Sequence, residues 1–188
     1  FESDRDRGEI ASTVALVRAL DWLMSSGADV VNISLAGPPN RLLETALSRA
    51  ADQGVMILAA AGNGGPVAEP LFPAAYDSVV AVTAVDSSGQ VYRLANRGNH
   101  LDLAAPGVDV MHARAGGGYS ASSGTSFAVP FAATAAARLR QLEPGVDALE
   151  VLTNLAEDLG PPGRDNIYGY GLLRPSAAGA PSVATSDR

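Results

Sequence analysis

Apolar residues recur at helical spacing from Ser12 to Met24, where Val14, Val17, Leu20, Trp22 and Leu23 punctuate polar positions before Gly27. This predicts a helix. The run from Ala28 to Leu35, carrying the β-branched Val30, Val31 and Ile33 and closed by Gly37, Pro38 and Pro39, predicts a largely buried strand. Asn40 stands where an N-cap belongs for a helix over 41–52, with Leu42, Leu43, Ala46, Leu47 and Ala50 on one side and Gly54 at its end. Val55 to Ala61 reads as a second buried strand, broken by Gly62, Asn63, Gly64, Gly65 and Pro66, and Ser78 to Val85 as a third. Short strands follow at 101–103 and 108–110. A helix starts near Ser126 and runs to Gln141, another covers 149–159, and the Ala-, Ser-, Gly- and Pro-rich tail after Pro175 is expected to fray. No internal repeat is visible.

This order of helices and buried strands implies an α/β fold, a parallel twisted sheet flanked by helices and joined by right-handed crossovers. Such a domain usually opens on a strand. Here a charged stub, Phe1 to Arg7, leads straight into a helix, so that helix reads as a crossover whose first strand lies outside the chain. The N-terminal strands are expected to be missing, the domain to run over 1–178 and a flexible tail over 179–188. A sheet opened in this way leaves a hydrophobic edge that invites pairing with another chain, including self-association.

Composition narrows the function. A chain of 188 residues, 47% hydrophobic and 18% charged, has the material for one folded domain and is too apolar for disorder. Its net charge of −7 has the wrong sign for binding nucleic acid through phosphate neutralisation. All 13 basic residues are Arg, which excludes Ser–Lys chemistry, Schiff bases and a P-loop lysine. Cysteine is absent, so thiolate nucleophiles, thiolate metal sites and disulfides are excluded too. No apolar run approaches the roughly 20 residues that span a bilayer, and neither EF-hand nor zinc spacing occurs.

Two segments carry candidate chemistry. Gly124 to Pro130 (GTSFAVP) leads into an alanine-rich helix, placing Ser126 where unpaired N–H groups and the positive dipole end favour a developing oxyanion. Ser126 or Thr125 reads equally as a plain N-cap. Ala59 to Gly65 (AAAGNGG) ends a buried strand, where ligands of open α/β sheets bind, and Asn63 could aim its amide N–H at that oxyanion. An Asn-Gly pair is also a common turn. A dinucleotide loop fits poorly, because the G-x-G-x-x-G spacing is absent and a Pro-containing stretch follows instead of a helix.

Six blocks in one order, 27–35 (GADVVNISL), 59–63 (AAAGN), 72–82 (FPAAYDSVVAV), 103–107 (LAAPG), 124–130 (GTSFAVP) and 168–172 (YGYGL), resemble the subtilisin family of serine peptidases. The related sedolisins place an acid where Asn63 stands. The resemblance implies that Ser126 is the nucleophile and that the Asn63 side chain and the Ser126 N–H form the oxyanion hole. It implies that Ser34, Leu35 and Ala36 pair with an extended peptide or protein substrate, one side chain of which enters between them and Ala60, Ala61 and Gly62. Leu71 falls near the floor of that crevice and would shorten it. The family's Asp and His blocks are not found, so the chain is expected to be the C-terminal portion of a serine endopeptidase whose base and orienting acid come from an upstream N-terminal part of the same domain. His100 is expected in a surface turn and His112 at a strand end, neither as the base. A catalytically silent peptide-binding module is the alternative, and a nucleotide-binding domain a remoter one. No cofactor is required by the resemblance, although a weak Ca²⁺ site would use the carbonyls of Ala74, Tyr76 and Val79 with Asp102; His100 stands where the family often has an acid. Family habit implies a secreted, periplasmic or cell-envelope protein.

Overall fold

The computed structural model describes residues 2–4, 8–10 and 12–174. Two short strands, β1 (Glu2–Asp4) and β2 (Gly8–Ile10), pair antiparallel with Glu2 opposite Ile10. Helix α1 (Thr13–Ser25) starts where the Ser12 hydroxyl accepts the Ala15 N–H. Then come β3 (Val30–Ile33), α2 (Arg41–Asp52), β4 (Met56–Ala60), β5 (Val80–Val85), β6 (Leu101–Pro106), β7 (Val110–Ala113), β8 (Tyr119–Ser122), α3 (Thr125–Leu142) and α4 (Ala148–Leu155). Asn40 caps α2 as predicted, its side-chain oxygen accepting the N–H groups of Leu42 and Leu43.

The main sheet has the order β3-β4-β5-β6 with every neighbouring pair parallel, the expected α/β architecture. All five residues of β4 are buried, because helices cover both faces. On one face Met56, Leu58 and Ala60 pack with the buried Ala128, Ala132 and Ala136 of α3 and with Leu152 of α4. These alanines recur every four residues, so α3 lies on the sheet along a stripe of minimal side-chain thickness. On the opposite face Ile57, Ala59 and Ala61 pack with Leu20 of α1 and Leu43 and Leu47 of α2.

Several sequence expectations are revised. Val14 and Trp22 are exposed rather than part of the inner stripe of α1, which Leu20 anchors with Leu16, Val17, Leu23 and Met24. Residues 2–10 contain the β1–β2 ladder, which the apolar pattern of the sequence did not signal. The Gly116–Gly118 run turns a hairpin, β7 against β8, that the pattern missed since its residues are half-buried or exposed throughout. Helix α4 stops at Leu155, four residues early, and α3 begins at Thr125, making Pro130 its sixth residue. The expected frayed tail lies outside the described residues.

Candidate active site

Three segments converge at the carboxyl edge of the sheet: Ser34 to Ala36 after β3, Ala60 to Asn63 after β4, and the first turn of α3. Gly62 has φ +107°, and a Cβ there would stand 2.7 Å from Leu71 Cδ1. Only glycine allows both the backbone turn and the close packing of Leu71. The Gly62 N–H donates to Thr125 Oγ1 at 3.1 Å, tying the loop to α3. Thr125 is wholly buried, and its N–H and hydroxyl both donate to Asn63 Oδ1, at 3.0 and 3.1 Å.

With its oxygen held in this way, the Asn63 amide has one orientation. Its Nδ2 lies 3.2 Å from the point a Cβ on Gly124 would occupy, so the glycine before the helix leaves room for the amide nitrogen. Nδ2 has no hydrogen-bond partner among the described residues. The Ser126 N–H belongs to the first turn of α3, where a helix has no acceptor of its own to offer. A side-chain donor without a partner among the described residues and the Ser126 backbone N–H thus both lie at the start of α3. That is the donor geometry for stabilising a tetrahedral oxyanion.

Ser126 Oγ donates to the Ser34 carbonyl at 3.2 Å, and Ser34 Oγ lies 3.0 Å from both the Ser126 carbonyl and Asn32 Oδ1. The proline explains the first of these Ser34 contacts. In a regular helix residue 130 would donate to the carbonyl of residue 126, and Pro130 has no N–H to give. The orphaned carbonyl is satisfied by the Ser34 hydroxyl instead, which clamps the end of β3 to the turn that holds Ser126. Ser34 and Leu35 are half-buried, Ala36 exposed, and Ala60, Ala61 and Gly62 buried, so a crevice wall runs from one segment to the other.

Neither histidine bonds Ser126. His112 sits in β7, as expected near a strand end, with Nε2 2.8 Å from Ser122 Oγ and its ring 5.0 Å from that of Phe127. His100 lies in a turn as expected but is half-buried rather than at the surface, its Nε2 buried and without a partner among the described residues. Burial, followed by the charge of Arg164, pushes its pKa below the ordinary 6.5. Asp102 has its pKa raised by burial, against the lowering influence of the Ala81 N–H and Arg164.

Sequence reasoning missed two supports. Asn96 is wholly buried; its Oδ1 accepts the Gly64 N–H at 2.7 Å, its Nδ2 donates to the Glu69 carbonyl at 3.0 Å, and its N–H donates to the Gly62 carbonyl at 3.0 Å. It therefore sets the shape of the oxyanion loop from behind. Thr125 was visible only as a rival cap, whereas its hydroxyl bridges Gly62 and Asn63. Nothing in the local sequence around Asn96 distinguishes it from a surface asparagine.

The chain is 36% identical over 173 residues to the minor extracellular protease Epr of Bacillus subtilis, covering 90% of this chain and 27% of that protein. It is 35% identical to subtilisin BL of Lederbergia lenta, covering 92% and 63% respectively. The chain thus spans about a quarter to under two thirds of these relatives. Among solved structures, fervidolysin from Fervidobacterium pennivorans, a keratinolytic enzyme related to subtilisin, superposes with a TM-score of 0.80 at 27% identity over 88% of this chain and 28% of that one. The self-cleaved protease domain of PatA gives 0.78 at 32% identity over 94% and 69%. The sequence profile of the subtilase family matches residues 6–171, beginning well before the first of the six recognised blocks. The chain belongs to the subtilase family.

Proposed function

We propose that these residues form the nucleophile-bearing portion of a subtilisin-like serine endopeptidase. Ser126 attacks a peptide carbonyl, and the Asn63 amide and the Ser126 N–H receive the oxyanion. The observation that carries the reading is the pair of hydrogen bonds from Thr125 to Asn63 Oδ1, which turn the amide nitrogen toward the start of α3.

An extended substrate pairs with Ser34, Leu35 and Ala36 by strand addition, its N–H groups competing for the Ser34 carbonyl that the Ser126 hydroxyl holds in the free protein. The side chain beside the scissile bond enters between this segment and Ala60, Ala61 and Gly62. Leu71 packs against Gly62 there and narrows the crevice. A serine hydroxyl needs a base within hydrogen-bond reach. Since neither His100 nor His112 bonds Ser126, the histidine and its orienting aspartate come from an upstream part of the same domain. That part covers the open side of β3, where Leu16, Leu20, Leu23, Ile33 and Leu35 line an apolar cleft of about 360 Å³. The resemblance to extracellular proteases supports a secreted or cell-envelope location.

The test is labelling by a phosphonofluoridate probe, applied to the natural gene product and to these 188 residues alone. Ser126 is labelled in the gene product, the label disappears in Ser126→Ala, and the isolated residues react poorly. Robust labelling of the isolated residues overturns the external base. A gene product that binds peptides yet neither labels nor cleaves is instead a silent peptide-binding module.

A further inference from the structure

Arg164 lies far from the nucleophile, in the segment after α4, and its guanidinium is held by three oxygens. Its Nη2 donates to the Asn99 carbonyl at 3.0 Å and to Asp102 Oδ1 at 3.0 Å, and its Nε donates to the Leu101 carbonyl at 3.2 Å. Two carbonyls and a carboxylate around one positive charge are the donor set that a hard cation takes. The Tyr170 ring lies 5.1 Å from the guanidinium carbon, on a side chain that stays 41% exposed.

Each oxygen of the Asp102 carboxylate already has a partner. Its Oδ2 accepts the Ala81 N–H at 2.9 Å, so one oxygen serves the β5 backbone and the other serves Arg164. Of the carbonyls that the resemblance assigns to a cation, that of Tyr76 already accepts the Val79 N–H at 3.0 Å. No cluster of three His, Asp or Glu side chains suited to a metal occurs among the described residues. With a guanidinium already against Oδ1, a second positive charge at Asp102 would be repelled, so the residues present do not fit a calcium ion there.

We propose that Arg164 is a built-in cation, taking at Asp102 the place a bound metal ion would otherwise fill. The segment that carries it is fitted to β6 accordingly. The Tyr170 N–H donates to the Asp102 carbonyl at 2.7 Å, and a Cβ on Gly169 would collide with that same carbonyl. Charge compensation at the start of β6 is thus covalently attached and independent of the ions in solution. A metal site stabilises only in proportion to ion concentration over its dissociation constant; this one holds at any concentration.

The experiment compares thermal midpoints in chelator and in millimolar CaCl₂ or KCl for the native chain, Asp102→Asn, Arg164→Ala and the double variant. The calcium-induced shift is expected to be the same in the native chain and in Asp102→Asn. Arg164→Ala melts lower in chelator, and added cation raises its midpoint by several degrees, a gain that the double variant lacks. A calcium shift in the native chain that Asp102→Asn loses overturns the proposal. So does an Arg164→Ala protein that melts like the native chain without responding to cations. Should Arg164→Ala fail to fold in any buffer, the native chain against Asp102→Asn still decides, and Arg164→Lys, which keeps the charge without the fork, is expected to fold and stay indifferent to calcium.

Discussion

The chemistry of single residues here depends on which hydrogen bonds are already taken. Asn63 has a free amide nitrogen because Thr125 saturates its oxygen, and the Ser126 carbonyl reaches Ser34 because Pro130 cannot bond it. The same logic of occupied space applies to Leu71. Its Cδ1 stands where a Gly62 Cβ would collide, so a leucine's volume fills the crevice beside the reacting carbonyl. Leu71→Gly is therefore expected to raise kcat/KM of the natural gene product for substrates with leucine or phenylalanine before the scissile bond. The gain is about 10- to 200-fold relative to alanine, the range that one or a few methylene groups command in an apolar pocket. Parallel assays on a peptide series varying only that position measure it; an unchanged preference would place the crevice elsewhere.

Elements were legible where a periodic apolar face coincided with end signals. Asn40 and Gly54 frame α2, and the β-branched and apolar run of β4 could only be a strand buried on both sides. Ser126 and Asn63 stood out as candidates for a related reason, since each sits at the end of such an element, where backbone groups are left unpaired. What escaped had no such signal. Tyr119 to Ser122 is a strand made by hairpin pairing, and Asn96 is buried by contacts from distant segments. Pro130 lies between these cases, being visible as a proline near a helix start but not as the cause of a link to β3. That link makes a prediction for the two elements it joins. Ser34→Ala leaves the Ser126 carbonyl unpaired and costs about 1 kcal/mol. In a Pro130→Ala background residue 130 regains its N–H and the same change costs much less. A double-mutant cycle from chemical denaturation measures the difference; strict additivity would mean that Ser34 does not stand in for the lost helical bond.

At the scale of the molecule, the sheet is finished on one side and open on the other. Beyond β6 the segment around Leu172 bridges to Ala104 and extends the hydrogen bonding, whereas β3 pairs only with β4 among the described residues. The cleft beside β3 is lined mainly by apolar side chains and lies next to the strand end proposed to pair with substrate. An unpaired parallel edge with such a cleft pairs with whatever strand-bearing partner is at hand. On the proposed reading the upstream part of the domain fills it in the whole protein, and the isolated residues are expected to turn to one another. Sedimentation velocity on the isolated chain is expected to show a mass that grows with concentration. Ala19 is exposed on α1 at the rim of the cleft, and Ala19→Glu suits a helix while adding to a chain whose net charge is already −7. This variant is expected to sediment as a monomer at concentrations where the parent associates. Equal association of both would move the contact away from β3, and with it the surface on which the base and its aspartate are delivered to Ser126.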